Sequence, residues 1–201
     1  MAPLLGTLGI LLAAGSPARA AEDPARTAAF PREEPFVIRP LSPWTGERRV
    51  GNGIAYGPHR DGQRPGGRSP SREELRQDLR IMSRHWSLLR LYGTAAPTET
   101  ILDLIREDRL DLKVMLGVWI DAEERRGGNG EILERFPEVR EANQREVDAA
   151  VRLAAVYAEI VFCLCVGNET QVSWSSHRVP PELLIGYVRE VRARTKAPVT
   201  S

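Results

Sequence analysis

The residues of this sequence best placed to do chemistry are Asn168 and Glu169, an amide and a carboxylate set side by side directly after a run of apolar residues. Ile160, Val161, Phe162, Cys163, Leu164, Cys165 and Val166 form that run, and Gly167 breaks it. A short apolar run bounded by glycine predicts a strand buried on both faces, of the kind found in parallel sheets covered by helices. In barrels made of such strands, chemistry sits at the C-terminal ends. Asn168 and Glu169 fall at such an end. The competing reading is that the pair caps the next helix or opens a solvated loop, because polar residues dominate turns.

The elements that must position this pair repeat along the chain. Val50 to Gly57 is a first candidate strand, weakened by three glycines, and glycine in a strand often marks close approach of a ligand or another backbone. After a turn-rich loop, Ser71-Arg-Glu-Glu74 is a capping box, and Leu75, Leu79, Met82 and Trp86 recur at helical spacing. Leu88 to Tyr92 is a second strand, interrupted by Arg90. A helix follows Pro97 with Ile101, Leu102, Leu104 and Ile105 on its buried face, and Leu112 to Trp119 is a third strand. Residues 122–158 are expected to be one long charged helical region, broken around Gly127-Gly-Asn-Gly130 and at Pro137. The strand before Glu169 is the fourth, Pro180 opens another helix, and Val199 begins a fifth strand. Strand and helix alternating in this way demand a parallel sheet with right-handed crossovers. A doubly wound sheet and a (β/α)8 barrel both satisfy the pattern, but no glycine-rich phosphate loop follows any strand.

Charge and composition exclude several classes of partner. Lys plus Arg number 28 against 27 Asp plus Glu, a formal charge of +1, so there is no electrostatic case for nucleic acid or an anionic membrane. The chain of 201 residues is 42% hydrophobic and 27% charged, as in ordinary globular proteins. Leu4 to Ala14 has the length of a signal-peptide core, and Ala18-Arg-Ala20 supplies the small residues a signal peptidase reads. Residues 1–20 are therefore expected to be a signal peptide cleaved after Ala20, although its first region carries no Lys or Arg. No run reaches the roughly 20 apolar residues that span a bilayer, so export to the periplasm, cell envelope or medium without a membrane anchor is expected. Residues 21–49, with Pro24, Pro31, Pro35, Pro40 and Pro43, are expected to be an extended lead-in. Cys163 and Cys165 lie on one face of a strand, too far apart for a ready mutual bridge, and are expected to be core thiols. No Cys/His spacing matches a metal site.

Several strand ends, taken together and in order, resemble glycoside hydrolase family 17. The pieces are Gly53-Ile-Ala-Tyr-Gly57, Leu89-Arg-Leu-Tyr92, Val114-Met-Leu-Gly-Val-Trp119 and Val166-Gly-Asn-Glu169. Gly57-Pro-His-Arg-Asp-Gly-Gln63, Ser71 to Leu79 and Ala197-Pro-Val-Thr200 look like the bacterial branch of that family. The resemblance covers residues 50–201 and implies a clan A (β/α)8 TIM barrel, of which about four βα units and the start of strand five are present. It implies an enzyme acting on β-1,3-glucan polysaccharide or oligosaccharide, as a retaining hydrolase or a transglycosylase, without cofactor or metal. Glu169 would then be the general acid/base, and Asn168 would hydrogen-bond the sugar 2-hydroxyl. Tyr56, Arg90, Tyr92 and Trp119 would line the glucan groove, since the apolar face of a pyranose packs on aromatic rings.

Each of these residues also has a plainer reading. Arg90 in a buried strand needs a partner, either a site carboxylate or a purely structural ion pair. Tyr56 and Tyr92 could be core residues with satisfied hydroxyls. His59 and His177, in loops at the same face, carry no assigned role, and His85 beside Trp86 is read as packing. Retention also needs a second carboxylate about 5 to 5.5 Å from the first, which the resemblance places at the end of strand seven. Residues 50–201 fall short of the roughly 250 of a whole barrel, so the nucleophile is expected downstream of Ser201. Two readings stay open: the first part of an exported β-1,3-glucan-active enzyme, or a non-catalytic, carbohydrate-binding or vestigial half barrel.

Overall fold

The computed structural model describes residue 39 and residues 41–45, 47–175 and 177–201. The expected signal peptide and most of the expected lead-in lie outside the described residues. The lead-in's described end forms a small antiparallel hairpin of β1 (Trp44–Thr45) and β2 (Arg48–Arg49). Arg39 ties this end to the C-terminal side of the chain, donating to the carbonyls of Ala197, at 2.9 Å, and Arg192. A guanidinium beside the last carbonyls of a helix satisfies groups the helix itself cannot bond.

Five strands form one parallel sheet: β3 (Gly53–Ala55), β4 (Leu88–Leu91), β5 (Lys113–Val118), β8 (Val161–Val166) and β9 (Val199–Thr200). Their spatial order, β3-β4-β5-β8-β9, follows their order in the chain. A doubly wound sheet reverses its strand order at a switch point. No reversal occurs among these strands, so the winding is of the barrel kind. Crossovers of one hand that always step the same way place the connecting helices on one face of the sheet.

Those helices are α1 (Arg72–Met82), α2 (Thr98–Glu107), α3 (Pro137–Val156) and α4 (Pro181–Arg194). The Ser71 hydroxyl accepts from the Glu74 amide while the Glu74 carboxylate accepts from the Ser71 amide, so the predicted capping box forms and starts α1. Leu75, Leu79 and Met82 bury one stripe of α1, and Ile101, Leu102, Leu104 and Ile105 one stripe of α2. They meet the strand residues of matching parity, Leu89, Leu91, Val114, Leu116, Val118, Leu164 and Val166, in a single core. Each such side chain contributes about 1.5 to 3 kcal/mol through removal from water. Arg90 and Met115 alternate with these residues and are only half-buried, on the opposite face of the sheet.

One expected element is corrected. Residues 124–135 are not helical: β6 (Glu124–Arg126) and β7 (Ile132–Arg135) pair antiparallel across the Gly127-Gly-Asn-Gly130 turn, where Gly130 takes φ +83°. The segment has no apolar residues at i, i+3 and i+4 to seat a helix on the core. Glycine favours the left-handed turn conformation instead. The helix begins only at Pro137, where a missing amide costs nothing.

Candidate functional site

The C-terminal ends of β4, β5 and β8 converge on one face, and Gly117 is what lets β4 and β5 approach. A Cβ at Gly117 would stand 2.4 Å from the backbone of Tyr92, so no larger residue fits without displacing that strand end. Beyond β8 the chain turns at Gly167, whose amide bonds the Val118 carbonyl at 2.8 Å and whose φ is +79°. Glu169 then adopts φ +55°, a left-handed conformation that is uncommon outside glycine, asparagine and aspartate. Such outliers persist only where their surroundings hold them, and they cluster at functional sites.

From there a chain of contacts crosses the face. The Arg90 guanidinium lies 5.3 Å from the centroid of the Tyr92 ring and donates to Asn168 Oδ1 at 2.9 Å. The Asn168 carbonyl is 2.9 Å from His177 Nε2, and the His177 ring packs on Trp119 with centroids 5.0 Å apart and planes inclined by 32°. Tyr92, Arg90, Asn168 and Trp119 are thus brought together, with His177 as the link. Glu169 stands beside them, exposed to solvent, at a cleft of about 550 Å³ that Arg90, Met115, Cys165 and Thr200 also line. Among the described residues its carboxylate has no hydrogen-bond or ion-pair partner.

Arg90 therefore satisfies its charge differently from what the sequence suggests. Its partners among the described residues are an amide oxygen and an aromatic face, not a carboxylate. Because Asn168 Oδ1 accepts from Arg90, the amide's orientation is set and its Nδ2 hydrogens are left to point elsewhere. Tyr56 stands apart from this group. It is buried, and its hydroxyl donates to Asp78 of α1 at 2.9 Å; burial, then that bond, push its pKa well above the ordinary value for tyrosine. Arg60 completes the pair with Asp78 at 2.6 Å. The His85 ring meets that of its neighbour Trp86 edge-on, but His85 is exposed in the turn after α1 and is not a buried packing residue.

Two polar side chains on α3 brace the face from beneath. Glu146 accepts the amides of Thr94 at 2.7 Å and of Trp119 at 3.1 Å, together with the Thr94 hydroxyl, and so pins the loops after β4 and β5 to one carboxylate. Asn143, 3% exposed, bonds both the amide and the carbonyl of Asp121 and donates to Glu123 at 3.0 Å. Tyr187 of α4 also donates to Glu123, and burial is the main cause of its raised pKa. Neither Asn143 nor Glu146 was apparent from the sequence as a brace. The available signal was Asn143 four residues before Val147, a polar group in register with the buried face of a helix.

Cys163 and Cys165 are both free and buried, but they lie on the sheet face of Arg90 and Met115 rather than in the helix-side core, and Cys165 lines the cleft. Desolvation, reinforced by Cys165, pushes the Cys163 thiol up to about 11, which makes it an inert buried group. Among the described residues no cluster of His, Cys, Asp and Glu could hold a metal ion, and no helix is long and apolar enough to cross a membrane.

No protein-family model matches the chain, and no curated protein matches it significantly. Among solved structures it is similar to an endo-laminarinase from Formosa Hel1_33_131, with 32% sequence identity and a TM-score of 0.58 over 71% of this chain. The chain spans 37% of that protein's length. It is also similar to the β-glucuronidase of Parabacteroides merdae, at 16% identity and a TM-score of 0.44 over 71% of this chain and 16% of that one, too remote to argue from. Over the span shared with the laminarinase, the parallel sheet and its outer helices fit the fold of part of a glycosidase α/β barrel.

Proposed function

We propose that the full-length protein is an exported retaining glycoside hydrolase or transglycosylase of the family 17 type that acts on β-1,3-glucan, with Glu169 as general acid/base. The observation that carries this reading is the Glu169 carboxylate itself. It is exposed, unpaired among the described residues, held in a left-handed backbone conformation at the end of a parallel strand, and set at a cleft beside Arg90. Supporting it is the structural likeness to an enzyme described as an endo-laminarinase.

In this mechanism protonated Glu169 gives its proton to the departing glycosidic oxygen as that bond breaks. As carboxylate it then takes a proton from the water or acceptor hydroxyl that resolves the intermediate. Asn168, its oxygen occupied by Arg90, turns its Nδ2 toward the sugar 2-hydroxyl. Tyr92 and Trp119 offer ring faces to the pyranose, and the second carboxylate comes from a later strand end of the full-length protein.

The test is incubation of the full-length protein with soluble β-1,3-glucan and, separately, β-1,4-glucan, measuring the release of reducing ends. Release from the β-1,3 polymer alone is the expected result. Retention of β-1,3-glucan without release of reducing ends would replace this reading with a non-catalytic, carbohydrate-binding one. Absence of both binding and release would end it. Export is tested separately by N-terminal sequencing of the mature protein, expected to begin at Ala21.

A further inference from the structure

We infer that His177 is the positioning residue of the Glu169 carboxylate, acting through the peptide group that joins Asn168 to Glu169. That peptide contains the Asn168 carbonyl and the Glu169 amide in one plane. Its tilt relative to the Glu169 Cα is the φ angle of Glu169. Whatever holds the carbonyl therefore fixes one of the two sides between which φ is measured, the other being held where the chain continues into the loop. Among the described residues, the group within hydrogen-bond distance of that carbonyl is His177 Nε2, at 2.9 Å.

The chemistry of the contact is set by the acceptor. A backbone carbonyl only accepts, so Nε2 carries the hydrogen, in the neutral ring as in the protonated one. The bond therefore does not depend on the charge of the ring. The ring's own orientation is supplied by Trp119, against which it packs at 5.0 Å, and by its place nine residues along the loop, where the Val179 amide bonds the Thr170 carbonyl at 3.0 Å and closes the segment. Trp119 is in turn fixed through its amide by Glu146 at 3.1 Å. From α3 through Trp119 and His177 to the 168–169 peptide, each group has a named partner.

A left-handed glutamate is strained, because its Cβ crowds the backbone in that conformation. It persists only if something offsets that strain. Gly167, already left-handed, starts the turn, but a glycine imposes no conformation on the residues after it. Arg90 holds the Asn168 side chain, not its carbonyl. The His177 bond is the contact that acts on the peptide plane itself. Without it, Glu169 relaxes toward an ordinary φ and its carboxylate leaves the cleft.

The role of Glu169 as acid/base comes from the proposed function, and the inference rests on that reading for its importance to catalysis. The positioning itself does not depend on activity, and the experiment reads it directly. In the full chain, labelled for NMR, a left-handed residue shows an unusually strong cross-peak between its own amide and α hydrogens. Two variants separate the two things His177 does. His177→Phe keeps a ring to pack on Trp119 and removes the donor. His177→Gln removes the ring and keeps an N–H at about the reach of Nε2.

The expected result is that His177→Gln retains the strong Glu169 cross-peak and His177→Phe loses it, with the cross-peaks of β5 and β8 unchanged in both. Any result in which the Gln variant does not preserve the Glu169 conformation better than the Phe variant overturns the assignment, because the ring packing or the glycine turn would then be sufficient. A thermal melt of each variant shows whether the loss is local. The two claims fail separately: a chain that never cleaves glucan refutes the enzymatic reading, while the cross-peak still decides what holds Glu169.

Discussion

Gly117 and Arg90 illustrate how far a single residue's type constrains this site. Gly117 sits where two strand ends nearly touch, and the added methyl of Gly117→Ala would meet the Tyr92 backbone, which cannot rotate away as a side chain can. Overpacking of this kind costs about 1 to 3 kcal/mol, and the strand end that moves carries Arg90 and Tyr92. The urea midpoint of Gly117→Ala should therefore drop measurably below that of the natural protein; an unchanged midpoint would show that the two strand ends are free to separate. The sequence pointed to Arg90 because a charge in a buried strand demands a partner. It could not show that the partner is Asn168, 78 positions away, because that pairing exists only once β4 and β8 lie in one sheet. His177 was less legible still. A lone histidine in a loop has no spacing to betray it, and its meaning comes from the carbonyl and the indole it meets.

Among the elements, those governed by local chemistry were the most legible. The Ser71 and Glu74 pair specifies a helix start by itself, and the strands marked by the longest mainly apolar runs fell where expected. Replacing Ser71 by alanine removes the hydroxyl that the Glu74 amide donates to at 3.2 Å. Loss of such a cap costs about 1 kcal/mol, and the prediction is read as a corresponding fall in unfolding free energy with the denaturant slope unchanged. A Ser71→Asp variant, able to cap in the same way, should restore it. The hairpin of β6 and β7 was not legible for the opposite reason. Its Glu and Arg residues suit a helix surface, while Ile132 and Leu133 remain exposed, so no buried face dictates its periodicity. The glycine turn decided the outcome.

At the scale of the whole molecule, the strand order is what separates a barrel-type winding from a doubly wound sheet, and alternation of strands and helices alone could not supply it. The folded chain buries a set of weak acids that hold their protons. Burial raises Cys163 to about 11 and, with Asp103, Tyr157 to about 12; Tyr56 and Tyr187 move upward for the same leading cause. Each binds its proton more tightly folded than unfolded, so the stability it lends is complete below the ordinary values of 9.0 for cysteine and 10.0 for tyrosine. That stability is lost as pH climbs through the folded-state values. Urea midpoints should accordingly be level near neutrality and fall steadily above pH about 9. A flat profile through that range would mean that these groups ionise freely in the folded protein.

If Glu169 donates the proton to the leaving group, replacing it by glutamine in the full-length protein must affect two kinds of substrate differently. A β-1,3-glucan has a poor leaving group that needs the proton, whereas an aryl β-glucoside with an electron-poor phenol departs without it. In Glu169→Gln, turnover of the glucan should fall by about 10²-fold or more, while formation of the glycosyl intermediate from the aryl glucoside, read as the burst of released phenol, is largely spared. Equal loss of both steps would assign Glu169 another role, and near-normal cleavage of the glucan would show that Glu169 is not the proton donor.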